Sequence, residues 1–257
     1  MAGKAEVSAY LDLREVSYRY RRSADDVLAI THTFIQGRTI LLGPNGAGKS
    51  TLLQLCANRI RLQHGAISLR AEGRILQSTT QAYRASVGFM PQHPTFVRGM
   101  SVHDQLVYAG WLAGLSEANA HRQATNWLER TNLARHAGKR CSDLSGGMQR
   151  RLAFAAAAIA EPSVLLLDEP TVGLDPHERS TFREILMDYN DEAIVLISTH
   201  QIDDLDLLAD EIAVLAEGRL VFSGEASAFL GLADPDLPVL ARAERAYAAA
   251  IRRGLAV

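Results

Sequence analysis

A glycine-rich loop between an apolar strand pattern and a helical pattern restricts the fold of this chain more than any other segment. The loop, GPNGAGKST at residues 43–51, fits the pattern G-x-x-x-x-G-K-[ST]. An apolar run at 38–42 precedes it, and apolar residues with helical spacing follow at 49–60. Glycines let the backbone curl so that several N–H groups point at one anion, beside the positive end of the next helix. The segment predicts a strand–loop–helix unit that binds nucleoside triphosphate phosphates, and alone it leaves kinases, GTPases and ATPases open.

The residues of this loop have separate predicted roles. Lys49 supplies a positive charge to the β- and γ-phosphates, and Ser50 offers a hydroxyl group to Mg²⁺. The other nucleotide-binding positions are Gly43, Pro44, Asn45, Gly46, Ala47, Gly48 and Thr51.

Strand patterns alternate with helical patterns along the rest of the chain. The predicted strands are 10–20, 27–36, 38–42, 65–73, 87–90, 164–167 and 193–198, with a hairpin at 211–223 that turns at Glu217 and Gly218. The predicted helices are 49–60, a segment through 106–113, 116–132, 150–160, 177–190, 202–209 and a last one from about 236. This order indicates an α/β fold with a mainly parallel sheet, and a helix-rich candidate second lobe at about 94–143.

Charge, hydropathy and cysteine content exclude several classes of protein. Lys and Arg number 27 against 29 Asp and Glu, so the chain has no general electrostatic reason to bind nucleic acid. The small basic set Arg19, Arg21 and Arg22 is better explained as a solvated strand end. We expect neither a secretory signal nor a membrane-spanning helix, because no apolar run approaches about 18 residues. Cys56 and Cys141 are expected to be ordinary thiols.

Two carboxylates directly follow the apolar strand 164–167. In open α/β sheets, ligands bind at the carboxyl ends of the strands. Asp168 is therefore expected to hold Mg²⁺, and Glu169 to polarise the water that attacks the γ-phosphate. Carboxylates at strand ends are also commonly solvated turn residues, but the phosphate loop in the same chain favours the catalytic interpretation.

The segment LSGGMQR at 144–150 is the third motif. Ser145 can cap the helix that follows, and Gly146 and Gly147 allow the backbone to approach a phosphate closely. Alone, this segment is more simply a capped helix after a flexible loop. Together with the other motifs it gives the chain a strong resemblance, over about residues 10–230, to the ABC ATPase family, whose signature is LSGGQ. Met148 replaces the glutamine of that signature.

The resemblance implies an architecture and its boundaries. The expected fold is a P-loop NTPase with a RecA-like core and mainly parallel sheet, an antiparallel β subdomain and an inserted α-helical subdomain. A single ATPase domain would cover 1–230, with its core at 1–93 and 144–230 and the helical subdomain at about 94–143. A C-terminal helical extension would follow at 231–257, where Leu240, Tyr247 and Ile251 could share a face.

Four further site residues are implied by the resemblance alone. Tyr20 matches the aromatic residue that stacks on adenine, with Tyr18 as the alternative. Gln92 matches the glutamine that approaches Mg²⁺ and links ATP to the helical lobe. Asp175 belongs to a segment at the dimer seam, and His200 matches the histidine that contacts the γ-phosphate. The implied catalytic set is Glu169, His200, Lys49 and Gln92, and the implied metal-binding set is Ser50, Gln92 and Asp168.

The resemblance also implies ligands, partners and function. The ligands would be ATP and Mg²⁺. Two cassettes, identical or different, would pack head to tail so that Ser145, Gly146 and Gly147 of one protomer complete the ATP site of the other. Hydrolysis would drive transport by separate transmembrane permease subunits at the cytoplasmic face of the membrane, with no nucleic acid partner. Likeness to bacterial exporters favours export, and an importer ATPase or a soluble non-transport ABC ATPase are the alternatives.

A permease helix would need an apolar surface on the helical lobe. Phe96, Val97, Met100, Val102 and Leu106 could supply it, or they could belong to the core of that lobe.

Overall fold

The computed structural model describes residues 9–20, 27–71, 73–202 and 209–255. The chain divides into two compact units, unit 1 comprising Met1–Arg84 and Asp191–Val257, and unit 2 comprising Ala85–Asn190. Most of the helix expected at 202–209 lies outside the described residues, as do Arg21 and Arg22. The segment 94–143 falls within unit 2, and its standing as a separate subdomain stays a prediction.

The elements follow the chain in this order. The strands are β1 (Ala9–Tyr18), β2 (Leu28–Ile35), β3 (Gly37–Leu42), β4 (His64–Ala71), β5 (Arg74–Gln77), β6 (Val87–Met90), β7 (Val164–Asp168), β8 (Ile194–Thr199), β9 (Glu211–Ala216) and β10 (Arg219–Glu225). The α-helices are α1 (Lys49–Cys56), α2 (Gln81–Ala85), α3 (Val102–Leu112), α4 (Glu117–Arg130), α5 (Gly146–Ala158), α6 (Pro176–Met187), α7 (Ala226–Leu230) and α8 (Val239–Gly254). Short 3-10 turns occupy Ala134–His136 and Cys141–Asp143.

Unit 1 contains two sets of strands. β3 lies between β8 and β9 and is parallel to both, and β10 pairs with β9 in the predicted hairpin. Glu217 and Gly218 both have left-handed φ values, 48° and 74°, as a tight two-residue hairpin turn requires. A separate antiparallel sheet has the order β2-β1-β4-β5. Parallel strands next to a distinct antiparallel sheet agree with the expected α/β architecture.

Helices α7 and α8 complete unit 1. α8 contacts β10 and α7 through a face of small residues, Ala243, Ala246 and Ala250, all of which are buried. Leu240, one of the three residues expected to share a face, is 47% exposed and does not belong to this buried face. Small residues let α8 lie close to the sheet, and a Cβ at Gly254 would clash with Val221 on β10.

Unit 2 pairs β6 with β7 in parallel, from Val87 opposite Val164 to Met90 opposite Leu167. Helix α5 approaches β6 closely at Gly88, where a Cβ would overlap the carbonyl oxygen of Ala157. The core is aromatic: the ring centroids of Trp127 and Phe154 are 5.8 Å apart, and those of Phe154 and Phe182 are 5.5 Å apart. Edge-to-face pairs of this kind add to the stabilisation from burial.

Several helix boundaries differ from the sequence prediction for local reasons. α1 ends at Cys56 rather than near 60, since Asn58 adopts a left-handed φ of 51°. α5 begins at Gly146 rather than at 150, because the Ser145 hydroxyl caps it by accepting from the Met148 N–H group. Short β5, α2 and α7 were not predicted. Among the described residues, no helix is long and apolar enough to cross a membrane.

Candidate functional site

The phosphate loop of unit 1 is held open by glycine conformations. Gly46 and Gly48 have φ values of 83° and 105°, which residues with a side chain rarely adopt. Gly48 is the N-cap of α1, so the first N–H groups of that helix receive no side-chain cap. A Cβ at Gly46 would meet nothing within 4 Å. The loop therefore presents free space beside the positive end of a helix, the arrangement that binds phosphate.

Two other contacts explain why the loop cannot carry larger residues at its ends. A Cβ at Gly43 would overlap the carbonyl oxygen of Leu215 on β9, and one at Gly48 would lie 2.7 Å from the side chain of Leu28. The Gly218 N–H group donates to the carbonyl oxygen of Ala47 at 3.2 Å. The hairpin β9–β10 thus supports the loop from behind.

Lys49 folds back over the loop. Its side chain is buried, and Nζ donates to the carbonyl oxygens of Gly43 at 2.7 Å and Pro44 at 3.3 Å. A buried ammonium group costs free energy unless its hydrogens are bonded, and these carbonyl groups supply partners. The positive charge is therefore kept at the loop, where a triphosphate can replace or share these bonds.

Tyr20 lies beside the first turn of α1. Its hydroxyl group is 3.1 Å from Oγ1 of Thr51, and its ring packs edge-on against Tyr18 with centroids 5.0 Å apart. Tyr20 is 44% exposed, which leaves much of its surface available to a ligand. Ser50 is half-buried in the same helical turn. Adenine stacking by Tyr20 stays a prediction.

His200 follows β8 at the same edge of the sheet as the phosphate loop. Leu42 pairs with Thr199, so the residues that follow them, Gly43 and His200, leave neighbouring parallel strands at one level. His200 is exposed, and the Thr199 hydroxyl accepts from the Gln201 N–H group at 2.9 Å. The register thus puts the predicted histidine at the carboxyl edge where ligands of such sheets bind.

In unit 2, Asp168 and Glu169 end the buried strand β7. They are 3% and 5% exposed, which excludes the interpretation as solvated turn residues. Glu169 has a φ of 47°, and a left-handed non-glycine residue costs about 1 kcal/mol or more. Strain of this kind concentrates at functional sites. No group of three or more metal-ligating side chains occurs among the described residues, but Mg²⁺ commonly takes one or two carboxylates plus substrate phosphates. Asp168 fits that pattern.

Arg150 connects the other segments of this edge, and sequence reasoning gave it no role. Its Nη1 donates to the carbonyl oxygen of Gln92 at 2.6 Å, and its Nη2 to that of Val172 at 3.3 Å. Desolvation lowers the pKa of Arg150, while the charges of Asp168 and Glu169 raise it. Gln92 is half-buried and lies just after the end of β6. The hydrogen bond from Arg150, a residue of α5, holds the Gln92 backbone in place. A basic residue two positions after Met148, the last residue of the LSGGM segment, was the only signal in the sequence.

The LSGGM segment forms the beginning of α5. Ser145 and Gly146 are exposed, and a Cβ at Gly146 would meet nothing within 4 Å. A Cβ at Gly147 would clash with the carboxyl group of Glu178. Gln149 donates from Nε2 to the carbonyl oxygens of Leu144 at 3.3 Å and Cys141 at 3.4 Å, which holds the preceding loop. The two glycines therefore occupy different surroundings. Gly146 faces open space, and Gly147 leaves room for the Glu178 side chain.

Asp175 and Glu178 lie at the beginning of α6 and link this helix to α5. Asp175 caps α6 by accepting from the Glu178 N–H group at 2.8 Å. The Glu178 carboxylate lies 3.5 Å from Nε of Arg151, and Arg151 donates to the carbonyl oxygen of Thr131 at 2.8 Å. The predicted seam residue Asp175 is therefore linked to the beginning of α5 through Glu178.

The predicted docking surface is only partly exposed. Val102 and Leu106 are fully buried in the core of unit 2, so the second of the two alternatives, membership of the core, holds for both. Val97 is 42% exposed, and Phe96 and Met100 are half-buried. Instead, a groove of about 600 Å³ runs between α3 and α4. It is lined by Asp104, Val107, Tyr108, Trp111, Leu115, Ser116, Glu117, Ala120 and His121.

A sequence model of the family described as ABC transporter matches residues 30–172. Three relatives illustrate the likeness. The retinal-specific phospholipid-transporting ATPase ABCA4 of Homo sapiens is 37% identical over 204 residues, which cover 79% of this chain and 9% of that protein. The uncharacterized ABC transporter ATP-binding protein YxlF of Bacillus subtilis is 34% identical over 209 residues, covering 81% of this chain and 68% of YxlF. The linearmycin resistance ATP-binding protein LnrL of the same species is 31% identical over 185 residues, covering 72% of this chain and 59% of LnrL.

A solved structure shows the same fold. The cbiO1 protein from Clostridium perfringens, described as part of the ABC transporter complex cbiONQ, aligns with a TM-score of 0.73 at 28% identity. The alignment covers 86% of this chain and 90% of cbiO1. This likeness confirms the expected fold class.

Proposed function

The chain belongs to the ABC transporter family of ATPases, and we propose that it is the ATP-hydrolysing subunit of an exporter whose transmembrane permease is formed by separate subunits. It would work at the cytoplasmic face of the membrane, held there by the permease. The observation that carries the proposal is the phosphate loop, where open space at Gly46 adjoins the uncapped beginning of α1 and the amine of Lys49.

Nucleotide binding follows from this loop. The N–H groups at the beginning of α1 and the ammonium group of Lys49 are donors for the phosphates of ATP. Ser50 supplies a hydroxyl oxygen and Asp168 a carboxylate oxygen of the kind that Mg²⁺ prefers. These two residues would hold Mg²⁺, which would supply positive charge to neutralise the charge that develops during phosphoryl transfer.

Hydrolysis is assigned to Glu169 and His200. The Glu169 carboxylate accepts a hydrogen bond from the attacking water and orients it, and the left-handed φ of this residue supports a functional role. His200 donates to the γ-phosphate. Gln92 is assigned to the same reaction because Arg150 holds its backbone near the carboxylates.

Dimerisation is supported by the exposed beginning of α5. Ser145 and Gly146 leave N–H groups and open space at a helix N-terminus, which suits the phosphates of a nucleotide bound to a second cassette. We assign the head-to-tail arrangement on this basis, with Asp175 at the seam. The partner is a second cassette, either the same chain or a different one.

The permease contact is assigned to the groove between α3 and α4. Tyr108 and Trp111 stack with ring centroids 6.1 Å apart, and Trp111 is 62% exposed. Asp104 and Glu117 add two carboxylates, and no Lys or Arg lines the groove. A cytoplasmic helix with apolar and basic residues fits this surface, through ion pairs and cation–π contacts. With the permease present, Trp111→Ala should reduce its stimulation of ATP hydrolysis and leave basal hydrolysis unchanged; full stimulation would contradict the assignment.

Export is favoured by one relative, which is named for resistance to linearmycin, because removal of a toxic compound is one route to resistance. In proteoliposomes with the permease, ATP supplied on the cassette side should move substrate away from that side. Accumulation on the cassette side would indicate import.

The central test compares the wild type, Glu169→Gln and Glu129→Gln. Glu129 is an exposed carboxylate of α4 and serves as the matched control. We expect the wild type and Glu129→Gln to hydrolyse ATP, and Glu169→Gln to bind ATP, lose turnover and accumulate as a dimer in size-exclusion chromatography. A wild type that binds no ATP would overturn the proposal, and binding without turnover or dimerisation would contradict a competent cassette.

A further inference from the structure

Helix α5 carries two kinds of group on one face. Its first turn presents Gly146 to open space, and Arg150 follows four residues later. Residues at i and i+4 lie one above the other on a helix, about 6 Å apart along the axis. Whatever displaces the beginning of α5 therefore displaces the guanidinium group with it.

The guanidinium group joins two segments that come from different strands. Gln92 follows β6, and Val172 follows β7 by four residues. β6 and β7 are parallel neighbours, so both segments leave the same edge of the pair. One planar fork, with bonds of 2.6 Å and 3.3 Å, sets their separation. A lysine could not do this, since its single nitrogen is a point donor without the fixed fork.

The charge of Arg150 also acts on the carboxylates. Asp168 and Glu169 both interact electrostatically with the guanidinium group, which is half-buried and loses part of its hydration. A desolvated cation is stabilised mainly by such neighbours. Arg150 thus donates to the segments that follow β6 and β7, and the proposed hydrolytic carboxylate belongs to the second of these segments.

We propose that Arg150 is a positioning residue that transmits the engagement of its own LSGGM segment to the carboxylate segment 168–172 of the same protomer. The inference rests on the proposed function, because it assumes that Ser145–Gly147 act on the nucleotide of the second cassette. When that nucleotide draws the beginning of α5 toward it, Arg150 adjusts Gln92 and the segment containing Glu169. Each cassette therefore becomes competent for hydrolysis only when its partner also holds ATP.

This arrangement makes the two ATP sites cooperative. With two coupled sites the Hill coefficient for ATP hydrolysis lies above 1 and reaches at most about 2. Removing the link leaves ATP binding and ATP-dependent dimerisation in place, and takes away the part of the cooperativity that arises in hydrolysis. A residue that merely stabilised the fold would change the amount of active protein and leave the Hill coefficient as it was.

The experiment measures steady-state ATP hydrolysis against ATP concentration for the wild type, Arg150→Gln, Arg150→Lys and Arg122→Gln. Arg122 is an exposed arginine of α4 and is the matched control. Loss of the guanidinium group in Arg150→Gln should lower kcat roughly tenfold with little change in the half-saturating ATP concentration. The Hill coefficient should fall below the wild-type value in Arg150→Gln. Arg150→Lys should recover part of kcat, because it keeps the charge, and should keep the lowered Hill coefficient.

A second measurement separates loss of coupling from misfolding. Arg150→Gln combined with Glu169→Gln should still form the ATP-dependent dimer, because Arg150 acts after nucleotide capture. The inference would be overturned if Arg150→Gln kept the same Hill coefficient as the wild type. A Hill coefficient of 1 in the wild type itself would also overturn it, and so would failure of the double variant to dimerise. An inactive wild type would instead refute the proposed function on which the inference rests.

Discussion

Replacing Gly147 by alanine tests whether packing against Glu178, rather than chain flexibility, explains the second glycine of the LSGGM segment. The added Cβ would lie 2.8 Å from Cγ of Glu178 and closer still to its carboxyl group. The Glu178 side chain must therefore move, and it takes its carboxylate away from Nε of Arg151, now 3.5 Å distant. Gly146→Ala is the matched control, because its Cβ would meet nothing within 4 Å.

The magnitude follows from the burial of the ion pair. Breaking a fully buried pair costs about 3–5 kcal/mol, and an exposed pair contributes at most about 1 kcal/mol. The side chains of Arg151 and Glu178 are 8% and 22% exposed, so a loss of about 1–3 kcal/mol is reasonable for this intermediate case. Alanine offsets roughly 0.5–1 kcal/mol of this, because it is a better helix residue than glycine. We expect Gly147→Ala to destabilise unit 2 by about 1–2 kcal/mol, or roughly 2–8 °C in Tm, and Gly146→Ala to cost nothing.

Tryptophan fluorescence during thermal unfolding is the assay, because both tryptophans, Trp111 and Trp127, belong to unit 2. In a Glu178→Ala background the cost of Gly147→Ala should disappear, since the clashing group is gone. Equal Tm values for Gly146→Ala and Gly147→Ala would refute the reasoning, and so would a cost that persists without Glu178. Hydrolysis gives a further contrast: Gly146→Ala should lower ATPase activity at unchanged stability, because its Cβ points into the space assigned to the partner's phosphates.

Three further predictions concern nucleotide binding, the core of unit 2 and pH. Tyr20→Ala should weaken ATP binding several-fold while Tyr20→Phe, which loses only the hydroxyl group near Thr51, binds nearly as the wild type; equal losses measured by fluorescence titration would exclude ring stacking. Leu106→Ala should cost about 2–4 kcal/mol in urea unfolding because the side chain is fully buried, and a loss below about 1 kcal/mol would restore the docking interpretation. Burial, together with two neighbouring carboxylates, raises the pKa of Glu211. The folded state then holds that proton more tightly than the unfolded state, so stability is lost as pH rises through the usual range of a glutamate and above it. Glu211→Gln should therefore raise Tm at pH 7 and have a smaller effect at pH 4, and a Tm gain that does not change with pH would contradict this sign.

Local patterns predicted most elements of the fold. The cap by Ser145 and the hairpin turn at Glu217 and Gly218 depend on residues within four positions of one another, and the structure has both. The end of α1 was predicted wrongly, because Asn58 turns left-handed beyond an apolar pattern that continues to Ile60. Backbone reversals at non-glycine residues leave little trace in composition.

Exposure of individual side chains was harder to predict. Val97, Val102 and Leu106 lie close together in sequence. Val97 is exposed, whereas Val102 and Leu106 are buried in the core of unit 2. Which side of a helix is buried depends on the elements packed against it, and the sequence pattern of α3 is apolar on more than one side. The groove that α3 forms with α4 was not foreseen for the same reason.

The sequence by itself determined the phosphate loop, the acidic end of β7, the LSGGM segment and, through them, the family. These motifs are contiguous, and their chemistry depends on residue types at fixed short spacing. Only the tertiary structure decided what joins them. Arg150 meets Gln92 and Val172 across 58 and 22 residues of chain, and Glu178 fills the space beside Gly147 from another helix. Such contacts form between segments that folding brings together, and because many residue pairs could satisfy them, no local pattern specifies them.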